Sequence, residues 1–384
     1  MGYSRSETMS PHTFDAGPVR HFAALDLGTN NCRLMIARRT GGGVQILDRQ
    51  NRMVCLGEGL IETGELSIKA MDRAVRTLES FAARMKGLPS LQIRAVATEA
   101  CRRALNRESF LSRVHSETGL PLEIISPREE VELAVEGCRT LLHRTRKSGT
   151  RAIVFDIGGG STEIAWLRLS SETHEHELVS LVSLPYGVVT LSEQYGHSRQ
   201  PASTLDQADL YCRMVETIRR PLLAFESVHQ INREMQRSAV QMLGTSGTVT
   251  TLASLAQNLT RYSRNAVDGF TLSAQAAHDA IALIRNNARN GELPPPLFRL
   301  TDSISCCLVA QSLKPFIASG PRNRSLSPIA DCGTAWSRAW QPRQETAEAP
   351  HKARLIVIRS GSTRRIIVAM QHPLPLWDAH EQKQ

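Results

Sequence analysis

Apolar and polar positions alternate most regularly in two well separated stretches of the chain. In HFAALDLGTNNCRLMIARR (21–39) an apolar run, a short Gly/Thr/Asn break and a second alternating run predict a hairpin, which VQILDRQNRMVCL (44–56) continues as a third strand. From Ser67 to Lys86 the period changes. Ile68, Met71, Val75, Leu78 and Phe81 fall at three- and four-residue spacing, the pattern of a helix with one buried stripe. LQIRAVATEA (91–100) returns to strand character, 108–119 is helical and 120–126 is a strand. PREEVELAVEGCRTLLHR (127–144) then opens a helix, with Pro127 near its first position and carboxylates in its first turn.

RAIVFDIGGGSTEIAWLRL (151–169) repeats the order of the first stretch: strand, aspartate, apolar residue, glycine, small polar residues, strand. A duplicated opening predicts an internally repeated α/β architecture, two domains with a cleft between them. The second unit continues with a strand near 178–184, helices near 203–228 and 272–288, and a strand, turn and helix at QMLGTSGTVTTLASLA (241–256). The expected organisation is a disordered lead-in at 1–20, a first domain at 21–147, a second at 148–300 and an atypical tail at 301–384.

Composition narrows the setting. A chain of 384 residues, 41% hydrophobic and 22% charged, has the size of about two domains. No apolar stretch approaches the roughly 18 to 20 residues of a membrane span. The polar N-terminus lacks the apolar core of a secretory signal, so a cytoplasmic protein with no membrane association is expected. Eight cysteines stand without any C-x-x-C pair, which suits a reducing compartment. Lys and Arg outnumber Asp and Glu by 46 to 37, a formal +9, which permits a polyanionic partner. Aromatics are only 5% and no basic run is interleaved with them, so no specific nucleic acid is expected. A homodimer is carried as one expected assembly.

Three small-residue turns follow apolar strands. They are Gly28, Thr29 and Asn30; Gly158, Gly159, Gly160 and Ser161; and Gly244, Thr245, Ser246 and Gly247. Glycine admits close approach of backbone N–H groups to an anion, and three such turns in one chain favour phosphate loops over tight turns alone. Asp26 and Asp156 each stand just before a loop, where a carboxylate either holds a hard divalent cation or accepts hydrogen bonds from its own turn; the matched pair favours the cation. Glu163, in the strand after the second loop, is a further candidate ligand or a solvated strand carboxylate. Glu129, Glu130 and Glu132 sit in a first helical turn, where carboxylates ordinarily complement the helix dipole, so pattern alone assigns catalysis to none. Arg102 and Arg103 are either a phosphate clamp or solvated arginines. His174 and His176 read as an exposed turn.

Together AALDLGTNNCRLMIAR, VATEACRRALN, EIISPREEVELA, VFDIGGGSTEI, LPYGVVTLSEQY and LGTSGTVTTLA, in this order, resemble the exopolyphosphatase/guanosine pentaphosphate phosphohydrolase (Ppx/GppA) family of the actin-like superfamily. The resemblance implies two ribonuclease-H-like domains and release of terminal phosphate from polyphosphate or guanosine pentaphosphate with Mg²⁺. It implies Glu130 as the carboxylate that orients or deprotonates water, and Asp156 and Glu163 as acidic groups near the metal, with Asp26 beside the first loop. Gly28, Thr29, Asn30, Arg102 and Gly158 to Ser161 are implied as phosphate-binding. Pro127 and Arg128 depart from the commoner Gly-x before the paired glutamates. From Thr301 onward the family's Gly-Cys-Ala-Ile-Leu-Glu-Ala-Ile-like helix and Gly-Leu-Arg-Glu-Gly-like motif are missing. Reading Ser305 to Phe316 from the third base of each codon permits Leu-Leu-Ser-Gly-Cys-Ala-Ile-Leu-Glu-Ala-Ile, and the same offset over Ala330 to Trp336 permits Gly-Leu-Arg-Asp-Gly-Leu. A shifted reading frame after about residue 300 is therefore expected.

Overall fold

The computed structural model describes residues 21–40, 43–142, 150–170, 172–173, 175–196, 204–237, 240–273, 275–277, 279–283, 330–331 and 365–370. The first alternating stretch folds as an antiparallel meander of β1 (His21–Leu27), β2 (Asn31–Thr40) and β3 (Gly43–Met53). α1 (Leu60–Thr63) and α2 (Ile68–Met85) follow, the latter capped by Ser67 Oγ, which accepts from the Ala70 N–H. Of the stripe read on α2, Val75, Leu78 and Phe81 are buried against Leu25, Leu34 and Ile36 of the sheet and Met71 is partly buried, whereas Ile68, at the first position of the helix, is exposed. β4 (Leu91–Ala97) runs parallel to β1. It is followed by α3 (Glu99–Arg103), α4 (Arg107–Thr118) and β5 (Leu122–Ile124), the last parallel to β4. The sheet order is β3-β2-β1-β4-β5.

α5 (Pro127–Leu142) then crosses to a second sheet. Its Val131, Val135, Cys138 and Leu142 pack on Ala152, Val154, Ala165 and Leu167, while Leu133 on another face meets Val96 and Ile125 of the first unit. The helix therefore joins both units. The second sheet repeats the first, with an antiparallel meander of β6 (Arg151–Ile157), β7 (Thr162–Leu169) and β8 (His176–Leu184). After α6 (Val188–Gly196), α7 (Thr204–His229) and α8 (Ile231–Arg237), β9 (Val240–Thr245) pairs parallel to β6. α9 (Ser246–Ala256), α10 (Arg264–Val267), β10 (Thr271–Leu272), β11 (Ala330–Asp331) and β12 (Arg365–Met370) complete the described chain. β12 lies between β9 and β10 and is parallel to β9, so the order β8-β7-β6-β9-β12 matches β3-β2-β1-β4-β5, with β10 added at the edge. The helices and sheet bury a second core around Ile153, Phe155, Trp166, Ile218 and Leu252. Two sheets with the same order and the same mix of antiparallel and parallel pairs are what a duplicated sequence should give.

The structure corrects some local expectations. β4 stops at Ala97, and Glu99 and Ala100 belong to α3 rather than to the strand. His176 is not part of an exposed turn: it opens β8, its side chain is only 16% exposed, its ring lies 3.9 Å from Glu136, and burial holds its pKa below the usual histidine value. The helix expected at 272–288 is present at 275–277 and 279–283; Leu272 belongs instead to a strand, and 274, 278 and 284–288 lie outside the described residues. The lead-in at 1–20, His174 and the tail apart from β11 and β12 also lie outside them.

Candidate functional site

The two meander openings make the same turn. Between β1 and β2 the Gly28 N–H donates to the Asn31 carbonyl at 2.9 Å; between β6 and β7 the Gly158 N–H donates to the Ser161 carbonyl at 3.0 Å. Asp26 lies opposite Arg33, and Asp156 lies opposite Glu163, at matching register positions. The duplicated turns meet across the cleft, and their glycines are required there. A Cβ on Gly160 would stand 2.2 Å from Thr29 Oγ1 and 3.1 Å from Glu99 Cγ, and one on Gly159 would stand 3.2 Å from Asn30 Cβ. Any larger residue at Gly160 pushes the loops apart.

The second loop is braced from behind by the start of α6. The Val188 N–H donates to the Gly158 carbonyl at 3.0 Å and the Val189 N–H to the Gly159 carbonyl at 2.8 Å. The third turn joins from β9: Ser246 Oγ donates to the Ile157 carbonyl at 2.6 Å and Thr248 Oγ1 to the same carbonyl at 3.0 Å. Ser246 has φ +87°, a region costly for a residue with a Cβ, and these bonds hold it there.

A cavity of about 280 Å³ opens between the loops. Of the residues singled out in the sequence it is lined by Asp26, Gly28, Thr29, Asn30, Glu130, Asp156, Gly158, Gly159, Gly160, Ser161, Ser246 and Gly247. Four others stand elsewhere. Gly244 and Thr245 lie beneath the third turn; a Cβ on Gly244 would strike the Phe155 ring at 2.5 Å, so this glycine serves packing, and Thr245 is fully buried. Glu163 is buried behind Asp156, with Ser183 Oγ donating to its Oε1 at 3.0 Å. Arg102 does not line the cavity either. Its Nη1 donates to Glu130 Oε2 at 2.7 Å and its Nε to Glu99 Oε2 at 3.1 Å.

Asn31 and Thr248, which end the first and third small-residue turns of the sequence, line the cavity too, and sequence reading missed Arg33, Asn51, Met53, Thr98 and Thr251 beside them. Asn31 and Arg33 alternate along β2, and the pairing sets Asn31 opposite Met53 and Arg33 opposite Asn51. That alternation was the available signal for Arg33. Arg33 Nη1 donates to Asp26 Oδ2 at 3.1 Å, so the first-loop carboxylate has a cationic partner of its own.

The remaining acidic groups repel one another. Burial pushes the Asp156 and Glu163 carboxyls up to about 8, with further upward pressure on Asp156 from Glu130 and on Glu163 from Asp156. Burial, and next the charge of Glu163, also raise Glu130 well above the usual carboxyl value, against the pull of Arg102. Asp26 is raised by burial despite Arg33. Asp156 Oδ1 and Glu163 Oε2 are buried without a hydrogen-bond partner. Buried acceptors left in this way call for a cation or a proton. Among the described residues no three His, Cys, Asp or Glu side chains converge closely enough to hold a metal by themselves.

Known proteins share this fold. The family model of the Ppx/GppA phosphatase family matches residues 35–281. An exopolyphosphatase-like protein of known structure is 25% identical, with a TM-score of 0.62 over 78% of this chain and 89% of its own. An Aquifex aeolicus member of the Ppx/GppA family is 24% identical, with a TM-score of 0.59 over 81% of this chain and 93% of its own. An exopolyphosphatase from Cytophaga hutchinsonii, 21% identical, superposes with a TM-score of 0.66 over 80% of this chain and 93% of its own. These structures share the fold, and with the family match covering residues 35–281, well over half of the chain and including the second and third turns, the chain belongs to the Ppx/GppA phosphatase family.

Proposed function

We propose that the chain is an exopolyphosphatase, releasing orthophosphate from the ends of inorganic polyphosphate, with guanosine pentaphosphate as the competing substrate. The observation that carries the choice is the lining of the cavity. Beside Met53, Ile157 and Val188 it presents glycine turns, hydroxyls, amides, Arg33 and carboxylates, and no Phe, Tyr or Trp is among the lining residues to stack on a base. The formal +9 of the chain and its likeness to an exopolyphosphatase-like protein support the same reading. Cys32 and Cys101, buried as free thiols, agree with a cytoplasmic setting.

In this reading the terminal phosphate sits against the N–H groups of Thr29 and Asn30 in the first turn and of Gly159 to Ser161 in the second, with Ser246 and Gly247 beside it. Glu130 aligns a water and accepts its proton as the water oxygen bonds to the terminal phosphorus. The bridging P–O bond breaks, and its electron pair stays on the oxygen of the shortened chain. A carboxyl raised by burial suits this role, because a base with a pKa near the working pH accepts the proton with less penalty. Asp156, with Glu163 behind it, would hold Mg²⁺, since each has a buried oxygen without a hydrogen-bond partner and hard divalent cations take such oxygen donors. When bound, Mg²⁺ neutralises phosphate charge. Asp26 is the third acidic group of the site, turned toward Arg33.

The test is kcat/KM for orthophosphate release from long-chain polyphosphate and from guanosine pentaphosphate, measured side by side for the wild type and Glu130→Gln. Preference for polyphosphate and a loss of about a hundredfold or more in the variant are expected. A preference for the guanosine compound that persists at moderate salt defeats the substrate assignment. Absence of turnover on both, at every divalent-metal concentration, leaves a phosphate-binding sensor.

A further inference from the structure

Arg102 is shared between two acids. Nη1 serves Glu130 Oε2 at 2.7 Å and the Ile125 carbonyl at 3.0 Å; Nε donates to Glu99 Oε2 at 3.1 Å, and Nη2 lies 3.0 Å from the same oxygen. All three side chains are nearly withdrawn from solvent, at 10% exposure for Glu99, 13% for Arg102 and 11% for Glu130. The stem of Glu99 is also pinned across the domain seam, where its Cγ stands 3.1 Å from the Cβ position of Gly160.

A guanidinium binds a carboxylate best through two parallel N–H bonds, and such a fork would engage both oxygens of a base. Here the Nε/Nη2 edge faces Glu99, and the Ile125 carbonyl shares Nη1. We infer that Glu99 is a positioning residue for Glu130: by holding the side edge of Arg102 it limits Glu130 to one guanidinium bond, through Oε2, and reserves the other oxygen for water. This rests on the reading of Glu130 as the water-orienting base. Because Glu99 also touches Gly160, the base is set from the same seam that closes the phosphate loops, and its geometry follows the closed arrangement of the two domains.

The test is a double-mutant cycle on orthophosphate release from polyphosphate, with a crystal structure of Glu99→Gln. Glutamine keeps the shape that packs on Gly160 and removes only the charge. Expected are a fall of about tenfold in kcat with KM unchanged, and no further fall when Glu99→Gln is added to Glu130→Gln. An unchanged kcat, an effect on KM alone, or the same fractional loss in both backgrounds overturns the proposal. In the crystal, Arg102 should turn a second nitrogen onto Glu130; an Arg102–Glu130 contact unmoved within about 0.5 Å also overturns it. Failure of the reading of Glu130 itself is seen separately, as wild-type turnover in Glu130→Gln alone.

Discussion

Asp156 and Glu163 are carboxyls whose ionisation the fold resists, and this makes the stability of the metal-free chain depend on pH. Free carboxyls ionise near pH 4, whereas these two keep their protons up to about 8. Between those values the folded chain binds more protons than the unfolded one, so their contribution to stability falls as pH rises. Below about 4 both states are protonated, and the dependence disappears. The metal-free protein should melt about 5 °C or more lower at pH 8 than at pH 5. Millimolar Mg²⁺ should recover most of the difference, and Asp156→Asn should flatten it; thermal melts across pH with chelator or Mg²⁺ measure both. A flat profile in chelator would remove mutual carboxylate repulsion as a feature of this site. At this scale the sequence showed the glycine turns and their aspartates, because strand, aspartate and glycine are contiguous. The partners of Arg102 were not visible, since Glu99, Ile125 and Glu130 meet only after two strands and a helix start have been folded together.

Elements were legible wherever periodicity was strong. The β1–β3 meander, α2 and α5 follow directly from alternation, from the buried stripe and from Pro127. α6 was not visible, because Val188, Val189 and Thr190 are a β-branched run with no helical period. They enter a helix because their N–H groups are taken by the carbonyls of Gly158 and Gly159, a tertiary cause that outweighs local propensity. β12 shows dependence of another kind. It flanks β9 on the side opposite β6, with Ala369 in register with Thr245 at the turn that leads into Ser246. A chain ending at residue 364 should expose the edge of β9, lower the melting temperature by about 5 °C or more and increase aggregation. Calorimetry and light scattering on the truncated chain check this, and unchanged melting would show that β12 contributes nothing to the sheet.

At the scale of the whole molecule, the resemblance to the family stops near Thr301, and the second sheet then draws its strand beside β9 from the far tail. The shifted-frame proposal predicts that one inserted or deleted base near codon 300 restores both missing motifs. The restored chain should melt higher than the present one by about 5 °C or more, since a patterned helix replaces a poorly patterned tail. If no single-base change recovers the motifs, the tail is a genuine divergence. The bareness of Gly160 has a consequence for the width of the cavity: a Cβ there would stand 2.2 Å from Thr29 Oγ1 and 3.1 Å from Glu99 Cγ, so the first unit can lie this near the second loop only while the position carries no side chain. On the reading proposed above, Gly160→Ala widens the gap between the two loops that would grip a terminal phosphate, and affinity for a polymer end falls with it.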